Sequence, residues 1–171
     1  MFSDYYLTIW GIMLRDKGHS QFFIVENYEL NPFWQKDIQD HKLFNIRQLI
    51  TVSAAAGFFI FVFEFYDLGS SYKEVLVGLL LAHYGMLTGR HVSNLLTYSY
   101  TKNHPEDLSG KVKQSHIFML HNSSYQYFVA ILPLVIIAVA HPSPLLIGCA
   151  AGALFNIVLH KLWINKYRKM N

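Results

Sequence analysis

Four apolar segments, each about as long as a bilayer is thick, constrain this 171-residue sequence more than any other feature. A transmembrane helix needs about 20 mostly apolar residues, and the segments at 49–68, 75–98, 117–140 and 145–164 meet that requirement. Charged residues make up only 15% of the chain, whereas soluble proteins average about 25%. The sequence therefore predicts an all-α, polytopic protein with four transmembrane helices, folded as a single integral membrane domain over residues 1–171.

The basic residues indicate how these spans are oriented. Most of them belong to one side of the membrane: they lie before the first span, between the second and the third, and at or after the end of the fourth. These residues are Arg15, Lys17, Lys36, Lys42, Arg47, Lys102, Lys111, Lys113, Lys161, Lys166, Arg168 and Lys169. The opposite side carries Lys73 alone in its two short turns. Cytoplasmic loops hold an excess of Lys and Arg, so we predict that both termini and the loop 99–115 are cytoplasmic.

Residues 1–48 are predicted to form a cytoplasmic or interfacial segment ahead of the first span. Its apolar run, 5–14, is too short to cross a bilayer. The residues of this run that share one helical face are Tyr5, Tyr6, Ile9, Trp10 and Met13. This pattern favours an interfacial or re-entrant helix, followed by a surface helix that starts after Asn31 and Pro32.

Local signals predict where the spanning helices begin and how they pack. Ser71 and Glu74 have the spacing of a capping box before the second span, and Ser143 with Pro144 predicts a cap before the fourth. Pro133 lies inside the third span. Small residues recur at helical spacing in two stripes, which predict close helix packing. These stripes consist of Gly85, Gly89 and Ser93 in the second span and of Gly148 and Gly152 in the fourth.

Polar side chains inside the spans are the strongest functional signal, because such groups are costly in lipid and usually face the bundle interior. The predicted topology gathers them in the cytoplasmic half, where the N-terminal segment can also reach. We predict as catalytic residues His91, His121, His160 and Glu29, with the three histidines also serving as metal ligands. The predicted substrate-binding residues are Arg90, Asn94, Asn122 and Asn156.

These residue types suit several kinds of chemistry. Imidazoles completed by a carboxylate can bind a divalent metal such as zinc and leave one coordination position open. Arg90 can hold an anionic head group or carboxylate through two parallel hydrogen bonds, and a histidine or glutamate beside bound water can act as a general base. The sequence has neither an H-E-x-x-H motif nor a Gly-rich phosphate loop. Its single cysteine, Cys149, gives neither a disulfide nor a cysteine metal site.

Each of these residues also has a purely structural interpretation. Arg90 and His160 can extend toward the membrane interface from near the helix ends. The asparagines at 94, 122 and 156 can hold helices together by hydrogen bonds. Glu29 can be a solvated acid near the start of the helix at Asn31.

Three functional hypotheses follow, and they remain open at the level of sequence. The first is a metal-dependent hydrolase or transferase acting on a lipid or membrane-bound peptide. The second is a channel, a transporter or an accessory subunit, and the third is a haem-binding electron carrier in which His83 or His91 faces His121 or His160. Membrane lipids are the expected partners, and a net charge of +3 is too small to indicate nucleic acid. Four spans shield little interior, so a homo-oligomer or a larger membrane complex is expected.

One pair of short elements resembles a known group of proteins. The sequence from Asp4 to Gly11, which contains Asp-x3-Thr, is followed by Glu29-Leu-Asn31-Pro32. This pattern is similar to that of a family of uncharacterised small prokaryotic membrane proteins, and the likeness covers about the first 35 residues. The resemblance implies that Asp4 and Thr8 form a linked unit with Glu29 and Asn31, and it implies no activity.

Overall fold

The computed structural model describes residues 2–25, 29–31, 33–66 and 69–169, and the chain is mostly helical over these ranges. The α-helices within them are α1 (Phe2–Asp16), α2 (Gln35–Gln39), α3 (Ile46–Glu64), α4 (Ser70–Asn103), α5 (His116–Ala140) and α6 (Pro144–Arg168). Two short strands are present, β1 (Phe23–Val25) and β2 (Val112–Gln114), together with 3₁₀ turns at His19–Gln21 and Pro105–Asp107. The predicted helical fold is confirmed, and the two strands are an addition that the sequence pattern does not predict.

Three of the predicted spans, now α3, α5 and α6, are helices long and apolar enough to cross a membrane. The segment predicted as the second span lies within α4, a helix of 34 residues. Three helices among the described residues have the mean hydropathy of a membrane-spanning helix, and α4 is not one of them. His83, Arg90 and His91 lie along its length and lower its mean hydropathy. By length and apolar character, three helices of the described chain are therefore candidate spans, one fewer than the four predicted from the sequence.

The first of these helices, α3, makes little contact with the other helices. Its N-terminus is capped by Asn45 and it ends at Glu64, while residues 67 and 68 of the predicted span lie outside the described ranges. Gln48 is its only buried residue among those described. Large apolar side chains such as Phe58 and Phe61 are exposed, so α3 presents an apolar surface over most of its length.

Glycines bring α4 and α6 into direct backbone contact. A Cβ atom on Gly148 would lie 2.1 Å from a carbonyl oxygen of α4, and one on Gly152 would lie 2.2 Å from another. Only residues without a side chain allow such an approach, which confirms the predicted packing role of this pair. Gly85 and Gly89 differ, because nothing lies within 4 Å of a Cβ at either position. The predicted stripe in α4 is therefore not used for packing by the described residues.

On its other side α6 packs against α5. Tyr127 and Ile131 of α5 form a buried cluster with Ala153 and Ile157 of α6. Pro133 lies inside α5, as the sequence predicts. Both α4 and α5 pack extensively on α6 but scarcely contact each other, so α6 lies between them.

The N-terminal helix α1 packs along α4. Tyr5 and Ile9 are buried in a cluster that includes Ile38 of α2, whereas Tyr6 and Trp10 on the same predicted face are exposed. The apolar face of α1 is therefore divided between the core and an accessible surface. The predicted surface helix is reduced to the five residues of α2, and Pro32 lies outside the described ranges.

Of the two predicted helix caps, one is confirmed. The Ser143 side chain accepts a hydrogen bond from the Leu146 amide at the start of α6. At the start of α4 the N-cap is Gly69 and the helix begins at Ser70. Ser71 therefore lies inside the first turn, and its prediction as a cap is wrong.

The strands tie the N-terminal segment to the connection between α4 and α5. β1 and β2 pair in parallel, with Phe23 opposite Val112 and Val25 opposite Gln114. Each strand is only three residues long, which is too short for the alternating apolar pattern that identifies a strand in a sequence.

Candidate functional site

A cavity of about 160 Å³ lies where α1, the segment at 29–31, α4 and α6 meet. Its polar lining combines side chains from all four regions: Asp4, Thr8, Glu29, Asn31, His83, Arg90, His91, Asn156 and His160. Apolar side chains, including Trp34, Leu87 and Trp163, complete the wall. The packing of α1 on α4 and the glycine contacts between α4 and α6 bring these distant parts of the sequence together.

A close contact between a carboxylate and an imidazole links α1 to α4 at this cavity. Asp4 Oδ1 lies 2.9 Å from His91 Nε2, and the His91 side chain is almost completely buried. The Thr8 hydroxyl donates to the Asp4 carbonyl oxygen at 2.8 Å and lies 3.4 Å from His91 Nε2. Burial tends to raise the pKa of Asp4, but the adjacent His91 ring and the charge of Arg90 lower it overall. Asp4 is therefore an ionised partner for His91.

Glu29 is a titratable group at the cavity whose pKa is strongly shifted by its surroundings. Burial raises its pKa to about 7, and the nearby Asp4 carboxylate also raises it. The hydrogen bond from the Asn31 amide and the charge of Arg90 lower the pKa and partly offset the increase. The Asn31 amide donates to Glu29 Oε1 at 2.6 Å. A carboxyl group that titrates near neutral pH can both accept and donate a proton. Glu29 thus has the properties of a general acid or base.

On the α6 side, Asn156 and His160 face α4. Asn156 Nδ2 donates to the His83 carbonyl oxygen at 3.4 Å. His160 Nδ1 lies 2.8 Å from the Asn156 carbonyl oxygen, which can only accept, so this nitrogen carries the proton. His160 Nε2 is buried and has no hydrogen-bond partner among the described residues, and in the neutral ring it is an acceptor.

Arg90 lies between this cavity and a second one of about 130 Å³. Its guanidinium donates to the Ser123 hydroxyl of α5 and lies 5.8 Å from the centre of the Tyr127 ring. Asn94 and Asn122 line the second cavity together with Arg90 and His91. The two cavities therefore share one cation and one imidazole.

The predicted site residues fall into three groups. Those at the first cavity are Glu29, Arg90, His91, Asn156 and His160. Asn94 and Asn122 line the second cavity. His121 lines neither, and its Nε2 lies 3.4 Å from Arg168 at the end of α6. Within the described parts of the chain no three His, Cys, Asp or Glu side chains are grouped to hold a metal ion.

Asp4 and Thr8 are absent from the predicted site residues, yet both line the first cavity. They are four residues apart, so they share one face of α1, and polar residues on the buried face of a helix are the signal that identifies them. Asp4, Thr8, Glu29 and Asn31, the residues grouped by the family resemblance, all line this one cavity.

The fold and the cavity together define a helical protein that has three membrane-compatible helices and a buried, titratable site. The sequence matches no family model, and comparisons with curated proteins and with solved structures find no match. The carboxyl group of Glu29, the imidazole of His91 and the guanidinium of Arg90 line this one cavity, and these residue types are the ones that acid–base chemistry uses.

Proposed function

We propose that this protein is an integral membrane enzyme, a hydrolase or transferase that acts on a lipid or a membrane-bound peptide. The observation that carries the proposal is the position of Glu29, whose pKa is raised to about 7 by burial, in the same cavity as the Asp4–His91 pair. General acid–base catalysis is most efficient when the pKa of the group is close to the working pH.

In this proposal each cavity residue has a distinct task. Glu29 takes a proton from the attacking water or acceptor group and returns it to the leaving group. Asp4 orients His91, whose imidazole is the second proton carrier. Arg90 binds the anionic part of the substrate and stabilises negative charge that develops during the reaction.

The size of the cavity favours a small reacting group. Pockets that enclose a whole drug-sized ligand occupy about 300–1,000 Å³, whereas this cavity has about 160 Å³. A head group or a single peptide bond fits such a volume while the rest of the molecule stays in the lipid. A haem does not fit it, which weighs against the electron-carrier hypothesis.

We further propose that α4 crosses the membrane beside α6, with both termini in the cytoplasm. The contacts Val75 to Gly148, Leu79 to Gly152 and His83 to Asn156 advance in the same direction along both helices. The two helices therefore run parallel, and α4 shares the depth of α6. Polar residues in α4 are tolerated because they face the cavities and not the lipid.

Cysteine labelling tests this topology. In a Cys149→Ala background, Lys111→Cys is expected to react with an impermeant maleimide from the cytoplasmic side and Lys73→Cys from the opposite side. Labelling of both positions from one side would contradict a membrane-crossing α4.

Activity is tested with the purified protein in nanodiscs, incubated at neutral pH with a total membrane lipid extract and with membrane-bound peptides. Mass spectrometry is expected to show consumption of one class of molecule, and Glu29→Gln is expected to reduce the rate by about 100-fold or more. The matched control is Glu64→Gln, at the exposed end of α3, which keeps full activity. Equal profiles for the wild type and Glu29→Gln would refute the enzyme proposal.

A proton-coupled transporter is the second candidate. His83 Nδ1 and His160 Nε2 are buried without hydrogen-bond partners among the described residues, and both residues line the cavity that contains Glu29. Such a series of titratable groups can relay protons. Proton uptake by liposomes that depends on Glu29, in the absence of any consumed substrate, would favour this function.

A further inference from the structure

The second cavity is a groove between α4 and α5. Both helices pack on α6 but scarcely contact each other, and the groove of about 130 Å³ opens in the gap between them. Arg90 reaches across the gap to the Ser123 hydroxyl. Leu30 and Gln114 complete its lining, and on the α5 side Asn122 and Gln126 are exposed at its edge.

The lining of the groove is positively charged and rich in hydrogen-bond donors. Arg90 is joined there by the side-chain amides of Asn94, Asn122 and Gln126 and by the Ser123 hydroxyl. None of the described residues that line this groove is acidic. A guanidinium accompanied by several amide donors is the pattern that binds an oxyanion. The carboxylates that act on Arg90, those of Asp4 and Glu29, line the first cavity and not the groove.

Arg90 itself retains binding capacity. Its Nε is buried and has no hydrogen-bond partner among the described residues, although the guanidinium is bonded to Ser123. A buried donor without a partner costs free energy, and an oxyanion placed at the guanidinium fork would satisfy it. Such an oxyanion would lie beside the first cavity, because Arg90 and His91 line both spaces.

An apolar path continues from the polar groove along α5. Val129, Leu132 and Ile136 follow Asn122 and Gln126 at helical spacing, and all three apolar side chains are largely exposed. Because α5 is apolar enough to cross a membrane, its central part lies at the depth of the acyl chains. A molecule with an anionic head and an apolar tail matches both halves of this surface.

We infer that the groove between α4 and α5 binds the oxyanion head group of an anionic lipid, with Arg90 and the amides of Asn94, Asn122 and Gln126 as its ligands. This inference rests on the proposed function, since it identifies an anionic lipid as the substrate class presented to Glu29 and His91. A free phosphate compound shares the same head-group chemistry but makes no use of the apolar path on α5.

The test measures lipid binding independently of turnover. The full chain in detergent is mixed with phosphatidic acid or with phosphatidylcholine at the same concentration. Native mass spectrometry then counts how many molecules of each lipid stay bound to the protein. We expect several-fold more phosphatidic acid on the wild type, and Arg90→Gln is expected to reduce its binding by about tenfold. Arg168→Gln, which removes an exposed cation at the end of α6, is the matched control and retains wild-type binding.

A second position keeps the inference testable if Arg90→Gln does not fold. Asn122 is exposed on α5, so Asn122→Asp should fold while its negative charge repels an oxyanion. Asn122→Ser, which removes one amide donor without adding a charge, should weaken binding much less than Asn122→Asp. Equal retention of the two lipids by the wild type, or unchanged binding in Asn122→Asp, would overturn the inference. Full competition by millimolar inorganic phosphate would also overturn it, in favour of a soluble phosphate compound. Selective lipid binding without any turnover would support this site and refute the proposed enzyme.

Discussion

Asp4 Oδ1 lies 2.9 Å from His91 Nε2, and this contact joins the N-terminal helix to α4. His91 is almost completely buried. Its contact with Asp4 therefore helps to fix the orientation of the imidazole ring at the cavity. An acid that orients a histidine in this way is a recurring arrangement in acid–base catalysis.

The first prediction concerns this pair. Under the proposed function, Asp4→Asn and His91→Gln each lower the turnover rate by about 100-fold, the typical contribution of one positioned proton carrier. The double variant is expected to be hardly slower than His91→Gln alone, because the two residues act as a unit. Steady-state rates of the three variants provide the measurement, with His104→Gln as an exposed control. If the double variant were slower by the product of the two single reductions in rate, the two residues would act independently and the prediction would be contradicted.

The second prediction is a pH dependence of stability that originates at Glu29. Its pKa is raised from its usual 4.5 to about 7, so between these values the folded protein holds a proton that the unfolded chain has released. The free energy of unfolding therefore falls as the pH rises through this window, by on the order of 3 kcal/mol in total. Thermal unfolding in detergent at a series of pH values measures it.

The Glu29→Gln variant isolates this contribution. It is expected to flatten the stability profile between pH 4.5 and 7 relative to the wild type, while Glu64→Gln leaves the profile unchanged. Asp4 acts in the opposite sense, because its pKa is lowered and its contribution is lost only as the pH falls toward more acidic values. The other titratable or charged side chains at the cavity are Tyr5, His83, Tyr84, Arg90, His91 and His160. Parallel profiles for the wild type and Glu29→Gln would exclude Glu29 as the source.

The third prediction compares two glycines. Gly152→Ala places a methyl group 2.2 Å from a backbone oxygen of α4, so α4 and α6 must separate, at a cost of about 1–3 kcal/mol or more. Gly85→Ala meets nothing within 4 Å and is expected to be neutral or to stabilise α4 by up to about 1 kcal/mol. Midpoints of thermal unfolding distinguish the two, and equal midpoints would contradict the close helix contact.

The fourth prediction compares two serines near helix starts. Ser143→Ala removes the hydrogen bond to the Leu146 amide and is expected to cost about 1 kcal/mol. Ser71 lies inside α4 without a capping role, so Ser71→Ala should change stability by less than about 0.5 kcal/mol. The unfolding midpoints of the two variants measure the difference. A larger loss from Ser71→Ala would restore the capping box that the sequence pattern predicts.

Several residues of the site are predictable from sequence because of their cost in lipid. Arg90, His91, Asn156 and His160 occupy long apolar segments, where polar groups persist only if they face other protein groups. The same reasoning places His121 with them, but the structure puts it beside Arg168. Helical spacing assigns a residue to a face of its own helix, and the rotation of that helix against its neighbours decides where the face points.

The apolar segments, the cap at Ser143 and the close-packing glycines at 148 and 152 follow from sequence alone, because each depends on properties of neighbouring residues. The position of α1 against α4, and with it the contact of Asp4 with His91, depends on the tertiary structure. So does the burial that raises the pKa of Glu29 to about 7, since a pKa reports the surroundings of a group and not its place in the chain. The sequence thus determined which helices form, whereas packing decided which polar groups meet and how they titrate.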